Sequence, residues 1–214
     1  MGSALPSIDR QDFFNRVQRC SPVPLDEKRL RGLYVHFSEL RKWNPRLSLV
    51  GPGSGEKLVE RHYGESLAAL PWVGTGPCVL VDVGSGGGFP GLVMTLVRRD
   101  LETTLVEARE RKWSFLMSVC RKTSLSCTCL NARVGSTPVR ELPTEIDLIT
   151  SRAVGRAEMG LDVLLPRLKK SGKMLLWVGA SRFEVPASMT ISEEIPLSGS
   201  RGRRILVLIP NVGV

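Results

Sequence analysis

The sequence predicts an α/β protein of the Rossmann-like class, with a mostly parallel seven-stranded sheet and a helical N-terminal cap. Three observations carry this: helical periodicity before residue 70, apolar runs alternating with helical spacing after Pro77, and a glycine-rich turn, Gly84-Ser85-Gly86-Gly87-Gly88, between an apolar strand and a helix. At 214 residues the chain is long enough to bury a proper core around one main site.

In chain order, a short helix is expected around 9–19, with Phe13, Phe14 and Val17 as its buried side. From Leu25 to Trp43 the apolar residues Leu30, Leu33, Tyr34, Phe37 and Leu40 recur every three or four positions, an amphipathic helix that Asn44-Pro45 should end. Its other face carries Lys28, Arg29, Arg31, Arg41 and Lys42, which serve either as a solvated face or as a partner surface. Gly51 to Gly55 marks a loop, and a further helical stretch holds Arg61, His62 and Glu65.

After the boundary near 70–77 the spacing predicts strands near 78–83, 102–107, 126–132, 146–150, 173–178, 189–195 and 203–209. Helices are expected near 90–99, 109–122 and 156–168. The last two strands have no helix between them, so they should form an antiparallel hairpin at the sheet edge. Residues 1–75 are thus a helical cap and 76–214 the sheet domain, the two forming one unit.

Composition narrows the function classes. Hydrophobic residues are 42% of the chain and charged residues 24%, with a mean hydropathy near zero, which excludes wholesale disorder. No apolar stretch approaches the ~18 residues of a spanning helix and no secretory signal opens the chain, so a cytoplasmic protein with no membrane partner is expected. Five cysteines without a CxxC pair, and only two histidines, argue against a metal site or a disulfide framework. Cys127 and Cys129 alternate with Thr128 and Leu130, which makes them core residues on one strand face. A formal charge of +9 favours a polyanionic partner such as nucleic acid.

The chemistry concentrates in Asp82 to Gly91. Glycines there let the backbone take positive φ and approach a ligand, and Pro90 suits a first helical turn. Gly86, Gly88 and Gly91 satisfy the dinucleotide fingerprint, with Glu107 about twenty residues on, so NAD must be weighed. Asp82 before Gly84 favours S-adenosylmethionine, because an acid there can sit near its cationic amino-acid part whereas a pyrophosphate has no use for one. Glu107 ends the second strand, where its carboxylate can accept from both hydroxyls of a ribose. Backbone around Ala108 and Arg109 then lines the adenosine pocket.

From Trp43 to the C-terminus the chain resembles the glucose-inhibited division protein B family, bacterial methyltransferases of guanine N7 in small-subunit ribosomal RNA. The carrying segments are Arg41-Lys42-Trp43-Asn44, Arg61-His62-Tyr63-Gly64-Glu65-Ser66-Leu67, the 82–91 loop, Thr104-Leu105-Val106-Glu107 and Ser151-Arg152-Ala153. The resemblance implies S-adenosylmethionine contacts at Gly84, with Ser85 and Gly86 beside it, and at Phe89, Glu107 to Arg109, Val134, Gly135 and Arg152. It also implies ribosomal RNA or a small-subunit particle as partner. The departure is Gly135, where the family commonly carries an acid, leaving backbone groups to make that contact.

The fourth strand's end, Thr150-Ser151-Arg152-Ala153, is not the Asp/Asn-Pro-Pro-aromatic segment of adenine amino-group methylation. Cys78 and Cys129 lie in the wrong strands for the nucleophile of cytosine C5 methylation. Guanine N7 needs no general base, so alignment suffices there, with Arg152 expected where cofactor meets substrate, or else in a structural salt bridge. Arg201, Arg203 and Arg204 in the last hairpin are expected phosphate contacts, with a solvated turn as the alternative. The residues alone leave open a small-molecule methyltransferase, an NAD enzyme and a noncatalytic RNA-binding assembly factor. The Lys- and Arg-rich cap favours RNA.

Overall fold

The computed structural model describes residues 3–135, 140–152, 159–180, 183–199 and 202–211. Helix α1 (Arg10–Cys20) is capped by the Asp9 carboxylate, which accepts the backbone N–H groups of Gln11 and Asp12 at 2.8 and 3.4 Å. It buries Phe13, Phe14 and Val17, as its spacing predicts. Helix α2 (Glu27–Leu47) is capped by Asp26 and buries Leu33, His36, Phe37, Leu40 and Asn44.

Asn44-Pro45 does not end α2. The helix runs through Pro45 to Leu47, and Ser48 closes it in the left-handed region with its N–H on the Asn44 carbonyl at 2.9 Å. Proline is tolerated because the turn is clamped elsewhere. The fully buried Asn44 side chain accepts Val50 N–H at 2.9 Å and donates to the Ser3 carbonyl at 2.8 Å. A 3-10 turn (Pro52–Lys57), a π-helical turn (Val59–Gly64), a short α3 (Glu65–Leu67) and a 3-10 turn (Leu70–Trp72) complete the cap.

The sheet contains β1 (Cys78–Val83), β2 (Leu101–Val106), β3 (Cys127–Leu130), β4 (Ile146–Arg152), β5 (Leu168–Val178), β6 (Met189–Pro196) and β7 (Arg204–Pro210), in the order β3-β2-β1-β4-β5-β7-β6. The first five pair in parallel, and β7 lies antiparallel to both β5 and β6. This is the expected mostly parallel seven-stranded sheet with an antiparallel edge hairpin. Helices α4 (Gly91–Val97) and α5 (Glu110–Lys122) follow β1 and β2. The helix expected near 156–168 is shorter: α6 (Leu161–Leu164) starts after Gly160 at φ 61° and passes into a 3-10 turn containing Pro166, which cannot continue an α-helical ladder. Residues 156–158 of that expectation lie outside the described residues. Strand β5 begins at Leu168, five residues early, with a register irregularity opposite Ile146 and Leu148.

Two apolar clusters lie on opposite faces of the sheet, as the alternation of side chains along a strand requires. Leu80, Leu105, Leu148, Leu175 and Val207 join the cap helices, α4 and α5 on one face. Val81, Val83, Val106, Ile149, Met174 and Leu206 pack the other. The cap therefore shares its apolar cluster with the sheet domain. Cys127 and Cys129 pack against it on one face of β3, with Cys129 Sγ 3.8 Å from Cys120 Sγ. Among the described residues, no helix is long and apolar enough to cross a membrane, and no group of three potential ligands could hold a metal ion.

Candidate functional site

Parallel strands deliver their C-terminal ends to one edge, and in an open α/β sheet ligands bind in the crevice there. Here β1 ends at Val83, β2 at Val106 and β4 at Arg152, in adjacent register, Val83 opposite both Val106 and Ser151. Above these ends is a cavity of about 470 Å³, within the range of small-molecule sites. Gly84, Ser85, Gly86, Phe89, Glu107, Ala108, Arg109, Val134 and Arg152 line it, so the structure brings nine of the sequence-derived site residues together.

The glycine loop is held by backbone bonds from Gly84 and Ser85 N–H to the Val106 carbonyl at 2.9 and 3.1 Å. Gly86, at φ 51°, turns its N–H to Glu107 Oε2 at 2.9 Å, a backbone conformation that a side chain disfavours. Glu107 Oε1 accepts Arg109 N–H at 2.8 Å. The carboxylate, 7% exposed, thus braces both the loop and the start of α5. Each oxygen keeps a second lone pair for a ligand hydroxyl. Asn131 Nδ2 donates to the Glu107 carbonyl at 3.0 Å and fixes the same corner from the end of β3.

Asp82 is not on the cavity wall. Its side chain is fully buried beneath the loop, with Oδ1 accepting the Thr150 hydroxyl at 2.6 Å. A Cβ at Gly91 would stand 2.4 Å from Asp82 Cβ, so the start of α4 rests directly on it and Gly91 is required there. Burial pushes the Asp82 carboxyl up to about 6, against the Thr150 hydrogen bond. The acid expected beside a ligand's cationic group instead supports the loop from below.

Gly135 is also off the wall. It adopts φ 86°, and a Cβ there would come within 3.2 Å of Gly160 Cα, so the positive φ and the close approach of two glycine backbones disfavour a side chain at this position. Ala108, Arg133 and Val134 line that end of the cavity in its place.

Arg152 makes the structural salt bridge and also lines the cavity. Its Nη2 donates to Glu65 Oε2 at 2.7 Å and to the Arg61 carbonyl at 3.1 Å, while the side chain lines the cavity. Its Nη1 is buried with no hydrogen-bond partner among the described residues. Glu65, 5% exposed, is shared with Arg203, whose Nη2 lies 2.9 Å from Oε1. Arg204 pairs with Glu194 at 3.0 Å and donates to the Gly179 carbonyl. Neither Arg203 nor Arg204 lines the cavity, both are tied to an acid, and Arg201 lies outside the described residues.

The sequence reading assigned no role to Leu49, Val50, Gly51, Arg61, His62, Lys112 or Arg133, all of which line the cavity. His62 packs on Phe89, ring centroids 5.0 Å apart. Burial, then the charges of Arg152, Arg61 and Arg203, push its imidazole down to about 3. The signal available for Arg61 and His62 was their place in the Arg61–Leu67 segment that carries the family resemblance, beside the helically spaced Val59, Tyr63 and Leu67.

Residues 30–192 match the GidB family model, described as rRNA small subunit methyltransferase G. A curated relative from Desulfotalea psychrophila, named ribosomal RNA small subunit methyltransferase G, is 38% identical over 148 residues, 67% of this chain and 68% of that protein. One of the same name from Geobacter sp. strain M21 is 34% identical over 76% of this chain and 74% of its own length. Among solved structures, a SAM-dependent methyltransferase from Aquifex aeolicus has a TM-score of 0.55 and 14% identity, over 73% of this chain and 93% of that one. That last likeness is one of fold.

Proposed function

The chain belongs to the GidB family, described as rRNA small subunit methyltransferase G, and from that premise we propose that it transfers the methyl group of S-adenosylmethionine to N7 of a guanine in small-subunit ribosomal RNA. The cavity fits the cofactor in size and in donor set. Glu107 supplies two oxygens for ribose hydroxyls, the glycine loop allows close backbone approach, and Ala108 and Val134 give the adenine apolar walls. When bound, S-adenosylmethionine supplies an electrophilic methyl on a cationic sulfur.

The observation that carries this reading is the match of residues 30–192 to the rRNA small subunit methyltransferase G family, with a cofactor-sized cavity at the ends of β1, β2 and β4. His62 lines the cavity, and burial with the neighbouring arginines pushes its imidazole down to about 3, which makes it a weak general base near neutrality. An acceptor that needs no proton removed suits such a wall. Guanine N7 has an in-plane lone pair and no proton, so it takes the methyl directly while the carbon–sulfur pair stays on sulfur and the positive charge passes to the purine. Alignment and electrostatics then do the catalysis. Arg152, held by Glu65, brings its positive charge to the cavity it lines.

The partner is proposed to be ribosomal RNA or a small-subunit particle, and the compartment the cytoplasm. The chain's charge of +9 supports a polyanionic substrate. The 1–75 cap and the 76–214 domain are proposed to fold as one unit, for which the shared apolar cluster speaks. The test is methyl transfer in vitro: with labelled cofactor and small-subunit RNA, nucleoside digestion should release the label as 7-methylguanosine. Binding of RNA with no transfer would instead favour an assembly factor.

A further inference from the structure

From the reading of the cavity as a site of RNA methylation, we infer that the RNA backbone lies on a basic face built by Lys42 and Arg46 of α2 with Arg109, Arg111 and Lys112 at the start of α5. The two helices lie side by side. Trp43 of α2 packs on Phe115 of α5 with ring centroids 6.2 Å apart, and Glu39 accepts from both Trp43 Nε1 and Ser118 Oγ at 3.2 Å. After α2 ends at Leu47, Ser48 leads the chain straight into Leu49, Val50 and Gly51 of the cavity wall, and Arg109 and Lys112 line the same cavity. The basic face therefore runs up to the mouth of the site.

Lys42, Arg46, Arg109 and Arg111 are exposed and Lys112 is half-buried. Among the described residues, none of these five side chains forms an ion pair or a hydrogen bond. Lys42 and Arg46 stand one helical turn apart, about 6 Å, where like charges repel. Burial, opposed by Glu107 and joined by Arg109, holds the Lys112 ammonium below the usual lysine range. At the other end of α2 the arginines are neutralised, Arg29 by Asp26 at 2.9 Å and Arg31 by Glu27 at 2.6 Å. The hairpin residues Arg203 and Arg204 are likewise tied to Glu65 and Glu194.

Uncompensated cations beside the cavity are what a chain of phosphates neutralises, releasing its own counterions as it binds. An anionic membrane is the competing polyanion. Insertion there needs an apolar face beside the cations, and Met117 is the one exposed large hydrophobic side chain on α2 and α5 among the described residues.

The test is binding of the full chain to native small-subunit RNA across a series of salt concentrations. Lys42→Ala and Arg46→Ala together remove two phosphate contacts, so affinity should fall about tenfold or more at about 0.1 M salt and the salt slope by about 1.4 to 1.8. Lys28→Ala with Arg31→Ala removes the same charge from the same helix, Lys28 being about 27 Å from Arg46 along its axis, and should leave the slope at its wild-type value. Cofactor affinity by calorimetry should change in neither protein. Should the Lys42 and Arg46 variant fail to fold in thermal unfolding, Arg111→Ala takes its place, with an expected slope loss of about 0.7 to 0.9. An unchanged slope, or an equal loss from both pairs, overturns the assignment. So does binding to vesicles of anionic lipid that falls with the Lys42 and Arg46 pair while RNA binding does not. If the wild type fails to bind the RNA or to methylate it, the function reading fails first and takes this inference with it. A wild type that binds and methylates, beside a Lys42 and Arg46 variant that binds equally well, sinks this inference alone.

Discussion

His36 joins the cap to the glycine loop: its Nε2 lies 2.8 Å from the Gly87 carbonyl, and its Nδ1 lies 2.7 Å from the Tyr63 hydroxyl. A carbonyl oxygen can only accept, which puts the proton on Nε2 and leaves Nδ1 to accept from Tyr63. Burial, opposed by the Gly87 carbonyl, pushes this imidazole down to about 4. His36→Phe would leave the Gly87 carbonyl buried and unpaired, at a cost of about 1–3 kcal/mol in urea unfolding. S-adenosylmethionine should bind several-fold more weakly as well, although His36 is not on the cavity wall. Unchanged cofactor affinity in a folded variant would show that the loop does not need this tether.

Asp82 makes stability depend on pH in a way that a single substitution can isolate. Its folded-state pKa, about 6, is above the unfolded value near 3.8, so between these values the folded state binds the extra proton. Its contribution is therefore present at low pH and lost as pH rises through 6. The stability of the wild type minus that of Asp82→Asn should fall by about 2–3 kcal/mol from pH 4 to pH 6.5, measured by denaturant titration at each pH. A difference that stays flat would place the ionisation of Asp82 elsewhere.

Glu107→Ala should weaken S-adenosylmethionine binding by about ten- to a hundredfold, since two ribose hydroxyls and the Gly86 N–H lose a charged acceptor. Glu107→Gln keeps one carbonyl oxygen and should fall between the two. Calorimetry with the cofactor and its demethylated product reads both effects, with circular dichroism as the check on folding. Equal affinity in all three proteins would remove Glu107 from the site.

Arg203 and Arg204 distinguish an RNA contact from a structural pair. Arg203 is held by Glu65, which also holds Arg152, whereas Arg204 pairs with the half-exposed Glu194. If both reach phosphates, Arg203→Ala and Arg204→Ala should each lower RNA affinity and reduce its salt slope by about 0.7 to 0.9. Only Arg203→Ala should also change the methyl-transfer rate, through the shared Glu65. A salt slope left intact would make both arginines structural.

Much of the fold was legible because strand and helix periods differ and few residues blur them. Cys78 to Val83 is an apolar run broken only by Asp82, as befits a central parallel strand, and it forms β1. Local signals failed where a tertiary contact decides. Pro45 reads as a helix stop until the buried Asn44 side chain is seen clamping the turn. Asp82 reads as a ligand contact because spacing reports proximity to the loop, whereas the side of the loop it occupies depends on α4 packing onto it at Gly91. His36, between Leu33 and Phe37 on a buried stripe, looks like core from its spacing. Its bond to Gly87 spans 51 positions, beyond the reach of any local pattern.

The central claim is that the methyl ends on N7 of a guanine in small-subunit ribosomal RNA, and the chemistry of that product gives the most direct measurement. N7-methylation fixes a positive charge on the base and makes its glycosidic bond labile after mild reduction, so aniline then cuts the strand at the modified position. Small-subunit RNA treated with this protein and S-adenosylmethionine should show a new guanine-specific cut that is missing when Arg152→Ala replaces the wild type. No cut, with the label recovered on an exocyclic amine, a ribose hydroxyl or a pyrimidine carbon, would contradict the account.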